Sequence, residues 1–217
     1  MSHQLDGFLY EVNENCEKEG ITGITSGYPS IDEHTNGWKN QDLIIVGGAS
    51  SMGKTSLSLN LALNSAKAGV PSVIFSYEMS VNQLLGRLVS SESNVENKSI
   101  TSGDLSKEDF DRVIDYSNQI KSLPLHIDEC SNTSLRYLIN RIRRYVVSKN
   151  IKLVMIDYLQ LVNNFTRGRS REQEVSQIAR ALKNVAKELD VCIMALSQLS
   201  RNVQNRPGCK PCLADLR

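Results

Sequence analysis

The chain of 217 residues balances 25 Lys and Arg against 24 Asp and Glu, a formal net charge of +1, and 40% of it is hydrophobic. That suits one large globular domain, or a domain with an appendage, and it excludes an overall design for polyanions or membrane surfaces, so any nucleic-acid site must be a local patch. Five scattered cysteines argue against a disulfide framework, no basic-then-apolar leader is present, and no apolar run approaches the ~20 residues of a membrane span, so the protein is expected to be cytoplasmic.

Residues 1–20 are polar and acidic, with Leu5, Phe8, Leu9 and Val12 at helical spacing. This predicts a short amphipathic helix without a domain of its own, either a linker or a helix for a neighbouring subunit. GITSGYPSIDEHTNGW, ending at Trp38, is rich in Gly, Ser, Pro and Asn and predicts turns. Apolar runs and helical patterns then alternate. Leu43–Val46 predicts a strand, and residues 54–68 a helix closed by Gly69. SVIFSYE after Pro71 predicts the next strand. Residues 80–122 look helical and polar, with Ser106 and Asp109 spaced as a capping box. LPLHID is a short strand, SLRYLINRIRRYV an amphipathic helix and KLVMID a continuous apolar strand ending in Asp157. Ser170 and Gln173 form a second capping box ahead of EQEVSQIARALKNVAKEL, and VCIMALSQ is the last predicted strand. Continuous apolar strands separated by helices predict an α/β domain whose parallel sheet is covered on both faces.

GASSMGKT, Gly48 to Thr55, satisfies G-x-x-x-x-G-K-[ST] between a predicted strand and a predicted helix. Gly53 and the small residues before it let backbone N–H groups turn around phosphate oxygens. The helix N-terminus adds a positive dipole end. Lys54 supplies a charge to the β- and γ-phosphates, and Thr55 a hydroxyl ligand for Mg²⁺. A glycine-rich turn that merely joins strand to helix is the bland alternative. Asp157, at the carboxyl end of a buried strand, is placed to hold the ion; otherwise it simply ends a strand. Glu78 ends the SVIFSYE strand in the same way and is a candidate general base. Gln198 ends the last strand, where a neutral amide can sense a γ-phosphate without competing for metal; a plain turn glutamine is equally compatible with the local pattern.

The tail LSRNVQNRPGCKPCLADLR sets Arg201, Arg206, Lys210 and Arg217 against Asp215 alone. Such a segment can track a phosphate backbone, or it can be a solvated loop. FTRGRSR, Phe165 to Arg171, carries the same ambiguity. Cys209 and Cys212 form a C-x-x-C, but His3, His34 and His126 are dispersed and offer no second ligand pair, so the spacing is taken as incidental.

Together ITGITSGYPSIDEHTNGW, DLIIVGGASSMGKTS, VIFSYEMSVNQLLGRL, TSGDLSKEDF, LVMIDYLQLV, IARALKNVAKELDV, ALSQLSRNVQNR and KPCLADLR resemble the RecA-like motor domain of the replicative DnaB-type DNA helicases, in family order from about residue 20. The resemblance implies a RecA-like P-loop NTPase fold over 21–217 and a linker helix over 1–20. It implies that Gly48, Ser51, Met52, Gly53, Lys54, Thr55 and Ser56 bind ATP, that Thr55 and Asp157 hold Mg²⁺, and that Lys54, Glu78 and Gln198 act in hydrolysis. It further implies single-stranded DNA as partner, contacted by Arg201, Arg206 and Arg217, a ring hexamer, and primase and a helicase loader. The chain departs from the family at Ala49-Ser50, where Arg-Pro is common, and it stops at Arg217 before the family's remaining core strands and arginine hairpin. It is therefore expected to be an incomplete motor that binds nucleotide, turns it over weakly and leaves Leu43–Val46 at a sheet edge. A nucleotide-binding subunit without helicase activity, a RecA- or RadA-like recombination ATPase and a small-molecule or nucleotide kinase are the competing readings.

Overall fold

The computed structural model describes residues 5–7, 9, 10, 12, 13, 20–163, 171–200, 203, 206, 208, 210–212, 215 and 216. Residues 5–7, 9, 10, 12 and 13 are helical, with Leu5, Leu9, Tyr10 and Val12 exposed.

Where turns are predicted, the chain also builds a two-turn helix, α1 (Pro29–Thr35). Its start follows from Pro29, whose missing N–H is no loss in a first turn. Asp32 on α1 is buried and accepts bonds from Thr25 Oγ1 at 2.6 Å and the Ser26 N–H at 2.8 Å. These bonds hold its carboxyl below the ordinary range although burial opposes them. The alternation that follows is β1 (Leu43–Gly48), α2 (Lys54–Lys67), β2 (Ser72–Ser76), α3 (Val81–Ser93), α4 (Asn97–Ser102), α5 (Lys107–Lys121), β3 (Leu125–Glu129), α6 (Leu135–Lys149), β4 (Leu153–Asp157), a 3₁₀ turn (Leu159–Leu161), α7 (Arg171–Leu189) and β5 (Cys192–Gln198).

The polar stretch 80–122 is three helices, because the chain passes through left-handed backbone at Asn94 (φ 54°) and Gly103 (φ 77°), which ends one helix and starts the next. Ser106 accepts the Asp109 N–H as an N-cap, and its hydroxyl donates to the Asp109 carboxylate. The reciprocal box lies elsewhere: Ser80 accepts from Gln83 N, and the Gln83 side chain accepts from Ser80 N. Ser170 lies outside the described residues.

All five strands run parallel in the order β1-β5-β4-β2-β3. Side chains alternate across the sheet. Phe75, Val154, Ile156, Ile193 and Ala195 pack with Leu138 and Ile142 of α6 and Ile178 and Leu182 of α7. Ile74, Leu153, Met155 and Met194 pack with Leu59 and Leu63 of α2 and Leu84 and Leu88 of α3. Each of these side chains larger than alanine contributes ~1.5–3 kcal/mol of burial. Two apolar faces explain why the central strands read as unbroken hydrophobic runs. Among the described residues β1 forms one edge, beside β5, and its residues are partly buried except Gly47, which is exposed. Among the described residues no helix is long and apolar enough to cross a membrane.

Candidate active site

Parallel strands present all their carboxyl ends on one side of the sheet, and β1 connects to β2 across β5 and β4. A crevice opens at such crossings. Here it is a cleft of about 330 Å³ lined by residues from the ends of β1, β2, β4 and β5.

The loop after β1 turns through left-handed backbone at Ser51 (φ 62°) and Gly53 (φ 79°) and runs directly into α2. Among the described residues no side chain caps the first turn of α2, and no acid lies in it. Its free N–H groups and positive dipole end are therefore available to an anion. The Lys54 stem folds back over Gly48, where an added Cβ would lie 2.8 Å from Lys54 Cγ. Its ammonium donates to the Ala49 carbonyl at 2.7 Å.

Thr55 Oγ1 donates to Asp157 Oδ2 at 2.8 Å, joining the start of α2 to the end of β4. Asp157 is 4% exposed. Burial raises its carboxyl above the ordinary range; the Thr55 bond and the Lys54 and Arg87 charges oppose the shift, and the Glu78 charge adds to it. Glu78 follows β2 and is exposed toward the cleft mouth. Gln198 is half-buried at the end of β5.

The cleft thus brings together Ser51, Gly53, Lys54, Thr55, Glu78, Asp157 and Gln198. Gly48 lies beneath the Lys54 stem, Met52 is 75% exposed at the loop tip, and Ser56 opens onto a neighbouring hollow with Asn60 and Ser90. Ser50, Met79, Tyr158 and Arg87 also line the cleft. Arg87, on α3, is not foreseen from sequence. Its signal is positional: it lies one helix after Glu78, and only the folding back of α3 over the strand ends brings its charge to the cleft.

Arg201 and Arg217 lie outside the described residues. Arg206 sits apart from the cleft and pairs with Asp215 through two bonds of 2.8 and 3.0 Å. It also donates to the Lys210 carbonyl at 3.0 Å. Asp215 takes the Cys212 N–H at 2.7 Å, and its own carbonyl accepts from Ser200 N. Cys209 is outside the described residues. Among the described residues no group of three or more His, Cys, Asp or Glu side chains is placed to hold a metal.

Residues 23–217 match the family described as DnaB-like helicase C terminal domain. This chain belongs to that family. A probable replicative DNA helicase of Trieres chinensis is 41% identical over 212 residues, which cover 96% of this chain and 47% of that protein. The replicative DNA helicase DnaC of Bacillus subtilis is 37% identical, covering 96% of this chain and 48% of that one. The chain thus spans about half the length of these relatives. Among solved structures, one ATPase domain superposes with a TM-score of 0.90 at 32% identity, over 98% of this chain and 77% of that one. A DnaB-like replicative helicase, studied with its interactions with primase, gives 0.88 at 32% identity, over 96% and 53%. The DnaB-like family assignment and the RecA-like α/β fold expected from the motifs both hold.

Proposed function

We propose that this chain is the ATP-hydrolysing motor of a replicative DNA helicase, with a linker helix over 1–20 and the motor over 21–217. The supporting observation is the convergence of Lys54, Thr55, Glu78, Asp157 and Gln198 on one cleft beside an uncapped helix N-terminus. The residues fit Mg-ATP. A hydroxyl and a buried carboxylate in contact are hard oxygen donors suited to a small divalent ion that takes its other ligands from water and phosphate. Mg²⁺, when bound, would neutralise charge developing between the β- and γ-phosphates.

The chain's own groups divide the remaining work. Loop N–H groups, with Gly48, Ser51, Met52, Gly53 and Ser56 shaping the cradle, bind the phosphates, and Lys54 exchanges its bond to Ala49 for them. Thr55 and Asp157 hold the ion. Glu78 accepts the proton of the attacking water. Gln198 and Arg87 face the transferring group. For single-stranded DNA the basic segment carrying Arg201, Arg206 and Arg217 is the proposed contact, with Arg206 also shaping the loop through Asp215. A ring hexamer, primase, a loader and a cytoplasmic setting belong to the same proposal and rest on the family.

The test is a thermal-shift and turnover series with and without single-stranded DNA. A ligand at 100 times its dissociation constant adds about 2.7 kcal/mol. Lys54→Ala should lose that shift, while Glu78→Gln should keep it and stop hydrolysis. A full ATP shift in Lys54→Ala would show that the site is elsewhere.

A further inference from the structure

Strand β5 loses one neighbour just before it reaches the cleft. Its register with β4 ends at Ile156 and Ala195, while on the other side β1 continues to Gly48 and Gln198. The next β4 residue, Asp157, is paired with Ser76 of β2, and its carbonyl accepts the Tyr77 N–H at 3.0 Å. The backbone of Gln198 therefore has no β4 residue beside it where its side chain meets the cleft. Half-buried peptide groups need partners.

The place of the missing ladder residue is taken by a side chain. Gln160, on the 3₁₀ turn after β4, accepts the Gln198 N–H on Oε1 at 3.2 Å. Its Nε2 donates to the Gln198 carbonyl at 3.1 Å and to Ser197 Oγ at 3.0 Å. A carboxamide offers the donor and acceptor of a peptide group, so Gln160 continues the hydrogen bonding on the β4 side of β5 at Gln198, three residues past the last register pair at Ala195. The turn is itself held, because Arg171 at the start of α7 donates to the Val162 carbonyl at 3.0 Å and to the Gln160 carbonyl. Gln160 does not line the cleft.

We propose that Gln160 is a positioning residue: by bracketing the peptide of Gln198 it fixes how that side chain reaches toward a γ-phosphate. The proposal rests on the reading of Gln198 as the γ-phosphate sensor. It predicts a defect confined to ligands that carry that phosphate, which a general loss of stability would not produce.

Gln160→Met keeps the side-chain length and removes both polar atoms. The first measurement is amide exchange on the nucleotide-free chain. Gln198 should be protected in the wild type and exchange about tenfold faster in Gln160→Met, as the loss of one hydrogen bond implies, with the Met155 amide unchanged. The second is the affinity for ADP and for a non-hydrolysable ATP analogue in wild type, Gln160→Met, Gln198→Ala and the double variant. Gln160→Met should weaken the analogue about tenfold relative to ADP and add nothing in the Gln198→Ala background.

Equal weakening of both nucleotides, or a full additional effect in the Gln198→Ala background, overturns the proposal. So does an unprotected Gln198 amide in the wild type, a result that stands even if the variant does not fold. If the exchange result holds but the wild type and Gln198→Ala treat the two nucleotides alike, the sensor reading fails and the proposal falls with it. If the wild type discriminates and Gln160→Met does so equally well, the proposal alone fails.

Discussion

Thr55 and Asp157, 102 residues apart in the chain, share a hydrogen bond of 2.8 Å in the floor of the cleft. The threonine hydroxyl donates to this largely buried carboxylate. Thr55→Val keeps the shape and removes the hydroxyl. It should lower the stability of the nucleotide-free protein by roughly 1–3 kcal/mol, the penalty of stranding a buried acceptor. It should also abolish any Mg²⁺-dependent stabilisation by ATP, whereas Thr55→Ser should retain it. Thermal melts with ATP, with and without Mg²⁺, give the answer; an undiminished Mg²⁺ effect in Thr55→Val would remove Thr55 from the ion's ligands.

Gly48 is fixed by the lysine that folds over it. A Cβ there would stand 2.8 Å from Lys54 Cγ and 3.1 Å from Cδ. The stem can move, so Gly48→Ala should fold, but the ammonium is displaced from the cradle. Nucleotide affinity should fall roughly tenfold, about 1.4 kcal/mol, with little change in the nucleotide-free melting temperature. Isothermal titration reads the first quantity and a melt the second.

Away from the cleft, Asp128 on β3 is buried and is held by two guanidinium nitrogens of Arg141 on α6. Tyr145 lies beside that guanidinium, 5.6 Å from ring centroid to Cζ. Arg141→Met removes the cation that pairs with a buried carboxylate, leaving it the weak Cys130 thiol donor, and should cost about 3 kcal/mol, the low end for a buried pair because the arginine is partly exposed. Replacing both residues with apolar ones should recover most of the loss. Urea denaturation at neutral pH measures the set, and full additivity of the two single changes would argue that the pair is not coupled.

The loop after β5 is closed by Asp215, whose carboxyl is held well below the usual range by Arg206 first and the Cys212 N–H second. A depressed folded-state value means that the clasp's contribution is fully present above the unfolded carboxylate's pKa of ~3.9 and is lost only as pH falls through the lower folded value. Exchange of the Cys212 amide, corrected for its intrinsic rate, should therefore show no step between pH 7 and 4. Asp215→Asn should raise that exchange already at pH 7. A wild-type step near pH 4 would mean that the carboxylate is unpaired in solution.

Much of this molecule is visible in the sequence because its core strands are buried on both faces. β2, β4 and β5 present unbroken apolar runs, and each ends in the polar residue that reaches the cleft: Glu78 just beyond β2, Asp157, and Gln198. The G-x-x-x-x-G-K-[ST] loop is equally legible, since its spacing follows from backbone geometry. What stays hidden depends on tertiary placement. Arg87 looks like an ordinary helix arginine until α3 folds over the strand ends. Gln160 looks like a spacer in a hydrophobic run until β4 is seen to leave β5. The Ser80–Gln83 capping box is legible in principle, and the Asn94 and Gly103 breaks divide a stretch that reads only as helical and polar. In the segment before β1, the turn residues conceal α1, because a proline in a first turn resembles a proline in a loop.

The strand order also dictates when the cleft can exist. β1 is made early, yet its ladder partner among the described residues is β5, so Leu43 must wait for Ile193. During synthesis, β2, β3 and β4 can pair as they emerge, while the loop after β1 hangs from an unpaired strand until β5 docks between β1 and β4. Contacts this distant in sequence close late, because loop-closure entropy must be overcome before they form. A nascent chain halted after Thr55 but before Cys192 therefore carries GASSMGKT without Gln198, and with β1 still lacking the β5 ladder that fixes where that loop stands.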